Sequence, residues 1–193
     1  MKVLIEERRA SVAATLLLAV LCCGIYPAVV WAVGQGLFSG KANGSLIRVD
    51  GKVAGSSLLA QGFTSPKYFH PRPSAAGQGY DAVNSGGTNL GPTSKKLIED
   101  VKQRVADYRA ENGLPTGTPV PADAVTSSAS GLDPHISVRN ATLQAARVAK
   151  ARGIGEKDVL AKIGANTDER TLGFLGEPRV NVLTLNLSLD GKL

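Results

Sequence analysis

The longest apolar run of the chain is "SVAATLLLAVLCCGIYPAVVWAV", residues 11–33, which has no charged side chain and only Ser11 and Thr15 as polar openers. As a helix rising about 1.5 Å per residue, the stretch from Val12 reaches roughly 33 Å, enough to cross the ~30 Å hydrocarbon core of a bilayer. The pattern predicts one membrane-spanning helix over 12–33. A cleaved secretory signal is the alternative, but its apolar region is usually about 7–15 residues and ends at small residues. This run is longer and passes through Trp31 into "GQGLF". Within it Gly24, Ala28 and Ala32 recur every four residues, the small-residue face along which another helix can approach closely; the alternative is a bare anchor in which such residues are simply common. Pro27 lacks a donor and frees the carbonyl of Cys23, which predicts a kink.

Beyond the span the pattern becomes that of a folded domain. "SLIRVDGKVAGS" (45–56) reads as a hairpin, with Asp50-Gly51 supplying its tight turn. Residues 62–94 are dominated by Gly, Pro, Ser, Thr and Asn, yet hold Phe63, Tyr68, Phe69 and Tyr80. A loop of that length in a small domain is functional or held by a partner. Leu97, Val101, Val105 and Tyr108 mark one face of a helix from Thr93 or Ser94 to Gly113. "GLPTGTPVPAD" is a proline-stiffened connector. A second helix is capped by Ser137 and ended by Gly153, with Ala141, Ala145, Val148 and Arg152 one turn apart, and a third begins near Glu156 with Val159 and Ile163. In the tail, Leu183 to Leu189 alternate with Thr184, Asn186 and Ser188, a period of two that predicts a half-buried strand. Val180 and Val182 are out of phase with it, which predicts a bulge between 182 and 183 or a stretch buried on both faces. The expected fold class is α+β: one N-terminal transmembrane helix, then a small domain with a mainly antiparallel sheet and about three helices.

Charge sets the orientation. Lys2, Arg8 and Arg9 cluster before the span, whereas Lys41, Arg48 and Lys52 are spread out after it. The denser cluster predicts a cytoplasmic N-terminal tail over 1–11 and an extracytoplasmic domain over 34–193. That domain has 19 Lys+Arg against 14 Asp+Glu and no cysteine, since Cys22 and Cys23 both lie in the span. Its positive charges are scattered without interleaved aromatics, which argues against a nucleic-acid partner.

Three stretches invite a chemical reading. "TSSASGLDPHIS" (126–137) packs Ser128, Ser130, Asp133 and His135 into eight positions. A nucleophile, base and carboxylate normally converge from separate parts of a fold, so a turn at Asp133-Pro134 leading to the Ser137 cap is the better reading. His70 and His135 are the chain's two histidines, too few with dispersed acids for a three- or four-ligand zinc site. "NSGGTNLGPT" offers a tight backbone turn at Gly86 and Gly87 whose amides, with the Thr88 and Thr93 hydroxyls near a helix start, can cradle an anion or phosphate, but it lacks the Gly-Lys-Ser/Thr ending of a P-loop; the alternative is a turn that docks this loop on its own domain or a partner.

Read in order, "GSSLLAQGFTSPKYFHPRPSAAGQGYDAVNSGGTNLGPTSKKL", "VPADAVTSSASGLDPHIS", "RVAKARG" and "RTLGFLGEPRVNVLTLNLSLD" behind one span resemble the KdpC family, the C subunits of bacterial Kdp potassium-transporting P-type ATPases. The resemblance covers almost the whole chain, with Val138-Arg139-Asn140 standing where the family often reads Pro-Ala-Ala. It implies an accessory, non-catalytic chain in the bacterial inner membrane. The implied partners are KdpA, which is channel-like and binds potassium, KdpB, the ATPase that forms an aspartyl phosphate, and the small KdpF, with ATP and potassium handled by those partners. Two roles are implied within the family. One is a catalytic chaperone that raises the ATP affinity of KdpB, for which Ser85, Gly86, Gly87 and Asn89 are the candidate nucleotide contact. The other is an outer cap that steadies or gates the ion path. Candidate partner contacts are Gly24, Ala28 and Ala32 in the span and Tyr68, His70, Arg72, Asn89, Asp133 and His135 in the outer loops. The reading from a different class is a stand-alone membrane-tethered hydrolase or ligand-binding domain.

Overall fold

A computed structural model describes residues 2–193, with side chains from residue 7 onward, and divides the chain into two compact units, one ending at Leu46 and one starting at Ile47. In the first unit α1 (Lys2–Ala19) continues through a π-helical turn (Val20–Ile25) into α2 (Tyr26–Leu37) and the single-turn α3 (Ser39–Ala42). The helical stretch Glu7–Leu37 is long and apolar enough to cross a membrane. Its apolar side chains are exposed along its length, Trp31 at 68%, as expected of a helix that faces lipid. Where the sequence predicts a kink, the helix makes a π turn. The Tyr26 N–H bonds the Leu21 carbonyl five residues back, so the ladder widens just before Pro27, whose ring crowds the Cys23 carbonyl. Gly24 lies in that wide turn, and Ala28 and Ala32 lie one turn apart on α2.

The boundary falls at the first residue of a hairpin, β1 (Leu46–Val49) and β2 (Lys52–Ser56). Asp50 and Gly51 sit at φ 51° and 77°, the left-handed pair that a two-residue turn needs. Then comes a long irregular segment containing one 3₁₀ turn, Ala82–Asn84. The helix α4 (Lys95–Glu111) starts where expected, with the Ser94 hydroxyl accepting from the Leu97 N–H. After the short α5 (Ala122–Val125) come β3 (His135–Ser137), α6 (Val138–Arg152), α7 (Glu156–Ala165), β4 (Thr167–Asp168), β5 (Arg179–Asn181) and α8 (Val182–Leu189). The Ser137 hydroxyl accepts from the Asn140 N–H and Gly153 closes α6 at φ 67°, so Val138-Arg139-Asn140 opens the helix at the expected place.

The sheet order is β3-β5-β4, antiparallel throughout, with Ile136 and Thr167 both opposite Val180. Helices α6, α7 and α8 build the core with it: Ala141, Ala145, Val148, Val159, Ile163, Val182 and Leu185 meet Ile136 and Val180, and Phe69 is inserted from the long loop. The α+β class and the antiparallel sheet agree with the sequence reading.

The tail does not. The predicted strand 183–189 is the helix α8, capped by the Asn181 side chain, which accepts from the Thr184 N–H. The physical reason is that α8 is covered on nearly every side. Val182 and Leu185 face the core, Leu183 lies against Gly55 of the hairpin, and Asn186 meets the Phe69 backbone. When all faces are buried, a period of two in leucine carries no directional information. The phase slip at 182–183 is neither a bulge nor a doubly buried strand; it marks the change from β5 to α8.

Candidate functional site

The loop from residue 62 is bound to the core by side-chain amides. Asn186 of α8 accepts from the Phe69 N–H at 2.8 Å and donates to the Phe69 carbonyl at 3.0 Å. One residue on, Gln144 of α6 accepts from the His70 N–H at 2.8 Å and donates to its carbonyl at 3.1 Å. These two amides give the loop the ladder that a neighbouring strand would give, so its backbone can enter the core without unpaired groups. Arg147 extends the clamp, donating to the carbonyls of Pro66 and Tyr68 at 2.6 and 3.0 Å and to Asn112 and Gln144 side chains. Arg152 stacks over the Tyr68 ring and bonds Lys67 and Leu189 carbonyls and Asp190, while the Tyr68 hydroxyl donates to Asp190 at 3.0 Å.

Several residues singled out in the sequence come together here. Arg72 Nη1 lies 2.9 Å from Asp133 Oδ2, Asp133 also accepts from the His135 N–H at 3.0 Å, and the His135 ring is 3.5 Å from Asp133 and 3.9 Å from Asp168. The bond across Pro134 is the turn that Asp-Pro predicts. These contacts, the His135 ring first, hold the Asp133 carboxyl down at about 2 against its burial. Ser128 and Ser130 face each other at 3.4 Å, and Ser130 also accepts from the Leu132 N–H. Their described contacts do not include His135. The Ser85-Gly86-Gly87 stretch docks on the same turn: the Gly86 N–H and the Ser85 hydroxyl both donate to the Ser130 carbonyl, at 2.9 and 3.0 Å. Those donors thus point into the domain. Asn89 is exposed at φ 53°.

His70 sits between Glu111, 2.9 Å from Nδ1, and the Ser65 carbonyl, 3.2 Å from Nε2. Burial pushes its pKa below 6.5, the Arg147 guanidinium pushes the same way, and Glu111 and Ser65 oppose. The folded state therefore binds this proton less readily than the unfolded chain. The associated stability is complete above the unfolded value and falls as pH drops through the window beneath it. We expect the thermal midpoint of the full chain in detergent to decline between roughly pH 7 and 5 and His70→Gln to flatten that decline. Asp133, ionised throughout that window, does not contribute to it. Equal slopes in both proteins would assign the effect to another group.

Beside His70 lies a recess of about 240 Å³, walled by Phe63, Tyr80 and Tyr108 and rimmed by Asp107 and Glu111. It falls below the roughly 300–1,000 Å³ of ordinary small-molecule sites. Among the described residues no group of three or more His, Cys, Asp or Glu side chains is placed to hold a metal ion. The residues that sequence reasoning missed are Asn140, Gln144, Arg147, Asn186 and Asp123. Asp123 accepts from the Ser137 backbone and hydroxyl and from Asn140, whose Oδ1 in turn accepts from Tyr108 at 2.8 Å. For Asn140, Gln144 and Asn186 the signal was polarity on apolar faces: Asn140 and Gln144 adjoin Ala141 and Ala145, and Asn186 stands among leucines.

Together these features define a class: a membrane-anchored α+β module whose long loops are bonded into its own core. The family profile described as "K+-transporting ATPase, c chain" matches residues 8–191. Proteins named "Potassium-transporting ATPase KdpC subunit" are similar over most of their length. That of Mycobacterium tuberculosis is 59% identical over 166 residues, covering 86% of this chain and 88% of the relative. Those of Nitratidesulfovibrio vulgaris and Koribacter versatilis are 54% and 51% identical, each covering 94% of this chain and 92% of the relative. This chain belongs to the KdpC family.

Proposed function

We propose that this chain is the single-span accessory component of an ATP-driven potassium-uptake complex, needed for assembly and activity and contributing no chemical step of its own. The observation that carries the reading, beside the family, is the contrast between the two units. The polar groups of the outer loops are spent on bonds within the domain, while the helix Glu7–Leu37 is apolar and its described apolar side chains are exposed along its length. In this reading KdpA, KdpB and KdpF are the partners; KdpA carries potassium and KdpB binds and hydrolyses ATP. The N-terminus is cytoplasmic, the span lies in the bacterial inner membrane, and the domain stands outside. Any effect on the ATP affinity of KdpB then passes through the membrane helices as coupling between sites.

The test is purification from native membranes in mild detergent through a tag on this chain. Larger membrane subunits are expected in the eluate, with ATP hydrolysis stimulated by potassium, and the double change Gly24→Leu, Ala28→Leu is expected to lose them. Recovery of the chain by itself, under conditions that keep other membrane complexes whole, would overturn the assembly reading.

A further inference from the structure

Between β4 and β5 the chain forms a short arm. Thr171 and Leu175 pair across it, each N–H donating to the other's carbonyl at 2.9 Å, and the Gly173 N–H bonds the Arg170 carbonyl at 2.9 Å. At the base Arg170 donates to Glu177 at 2.6 Å. The tip is therefore a built turn, yet it carries Leu172, Phe174 and Leu175 outward at 79%, 69% and 49% exposure. Leu172 also sits at φ 55°, a region that a leucine seldom occupies and that Asn or Gly fills without strain. A strained apolar residue fixed toward solvent is the pattern of a position that meets something.

The size of the patch limits what that can be. The three side chains present roughly 300–400 Å². A stable complex of freely diffusing proteins takes about 800 Å² from each partner, so neither a soluble partner nor a second copy meeting tip to tip is held by this arm. A contact of this size works when the other chain is already kept close, where the local concentration is high. The membrane span supplies that condition, because it holds the chain in an assembly independently of the arm.

We propose that the arm is a plug, with Phe174 as its anchor, that seats in an apolar socket on another membrane subunit of the same complex. The Arg170–Glu177 pair forms the polar rim of that contact, matching the anatomy of protein interfaces. This rests on the assembly reading above.

The test places a photoreactive benzoylphenylalanine at Phe174 in the intact complex and irradiates native membranes. A covalent adduct with a larger pump subunit is expected, and a probe at Val83, 91% exposed, is expected to give little. Adducts with lipid or a second copy, or none in a complex that still co-purifies, would overturn the plug while leaving the assembly reading intact; failure to recover any complex would overturn both. As a second arm, Leu172→Asn relieves the backbone and removes the apolar chain. It is expected to keep or raise the thermal midpoint while the chain is lost several-fold faster from the complex during detergent washing. Unchanged retention would contradict the proposal.

Discussion

Asn186→Ala is expected to destabilise the C-terminal domain by roughly 3–5 kcal/mol. The substitution removes both bonds to Phe69, whose side chain is fully buried. The Phe69 N–H and C=O are then left without partners inside the fold, at about 1–3 kcal/mol each. The vacated space adds a smaller cavity cost. Against the ~5–15 kcal/mol that keeps a typical domain folded, this is a large share. Because the amide is what pins the loop, proteolytic cleavage within residues 62–94 should accelerate along with the fall in the urea midpoint. Asn84→Ala is the control, since Asn84 is exposed and donates to Asp81 on the surface, and it should cost less than about 0.5 kcal/mol. Comparable shifts in the two variants would mean that the clamp contributes nothing special.

Gly131→Ala is expected to cost about 3 kcal/mol or more. Gly131 lies at φ 68°, and a Cβ there would stand 2.7 Å from both the Ala76 nitrogen and the Gly86 carbonyl oxygen. Both are backbone atoms, so no rotamer change can make room. Three segments meet at this point: 74–76, 85–87 and 128–131. The Ser74 hydroxyl donates to the Gly131 carbonyl at 2.6 Å and the Gly86 N–H donates to Ser130, so the substitution pushes apart loops that are bonded to one another. Crowding and backbone strain can be separated. Gly113 has φ 63° with open space around it, and Gly113→Ala should show the strain by itself, about 1–2 kcal/mol. A Gly131→Ala protein no less stable than Gly113→Ala would contradict the close approach. Measurement is by thermal midpoint of the full chain in detergent.

These two positions also show what the sequence could and could not convey. Signals that are local by nature were legible: Ser94 and Ser137 as caps, Asp50-Gly51 as a turn, the alanine and valine face of α6, and the apolar span. Each is decided by the residue and its near neighbours. The tail was misread because α8 is decided by its surroundings; a helix wrapped by the sheet, the hairpin and the loop loses the periodicity that would reveal it. For the site, sequence flagged the loop and its aromatic and charged residues, and it read Asp133-Pro134 as a turn. Partners were out of reach, since Asn186 lies 117 positions from Phe69 and Gln144 lies 74 from His70. An asparagine among leucines is a hint of a buried bond, but only the fold says to what.

In the proposed reading the complex needs this chain and the chain performs no chemistry. The most direct measurement is potassium-stimulated ATP hydrolysis by pump purified from cells lacking this chain, before and after adding it back. We expect little activity without the chain, recovery when the full chain is supplied, and none from the chain by itself. Equal activity with and without it, or ATP turnover by the purified chain, would contradict the account.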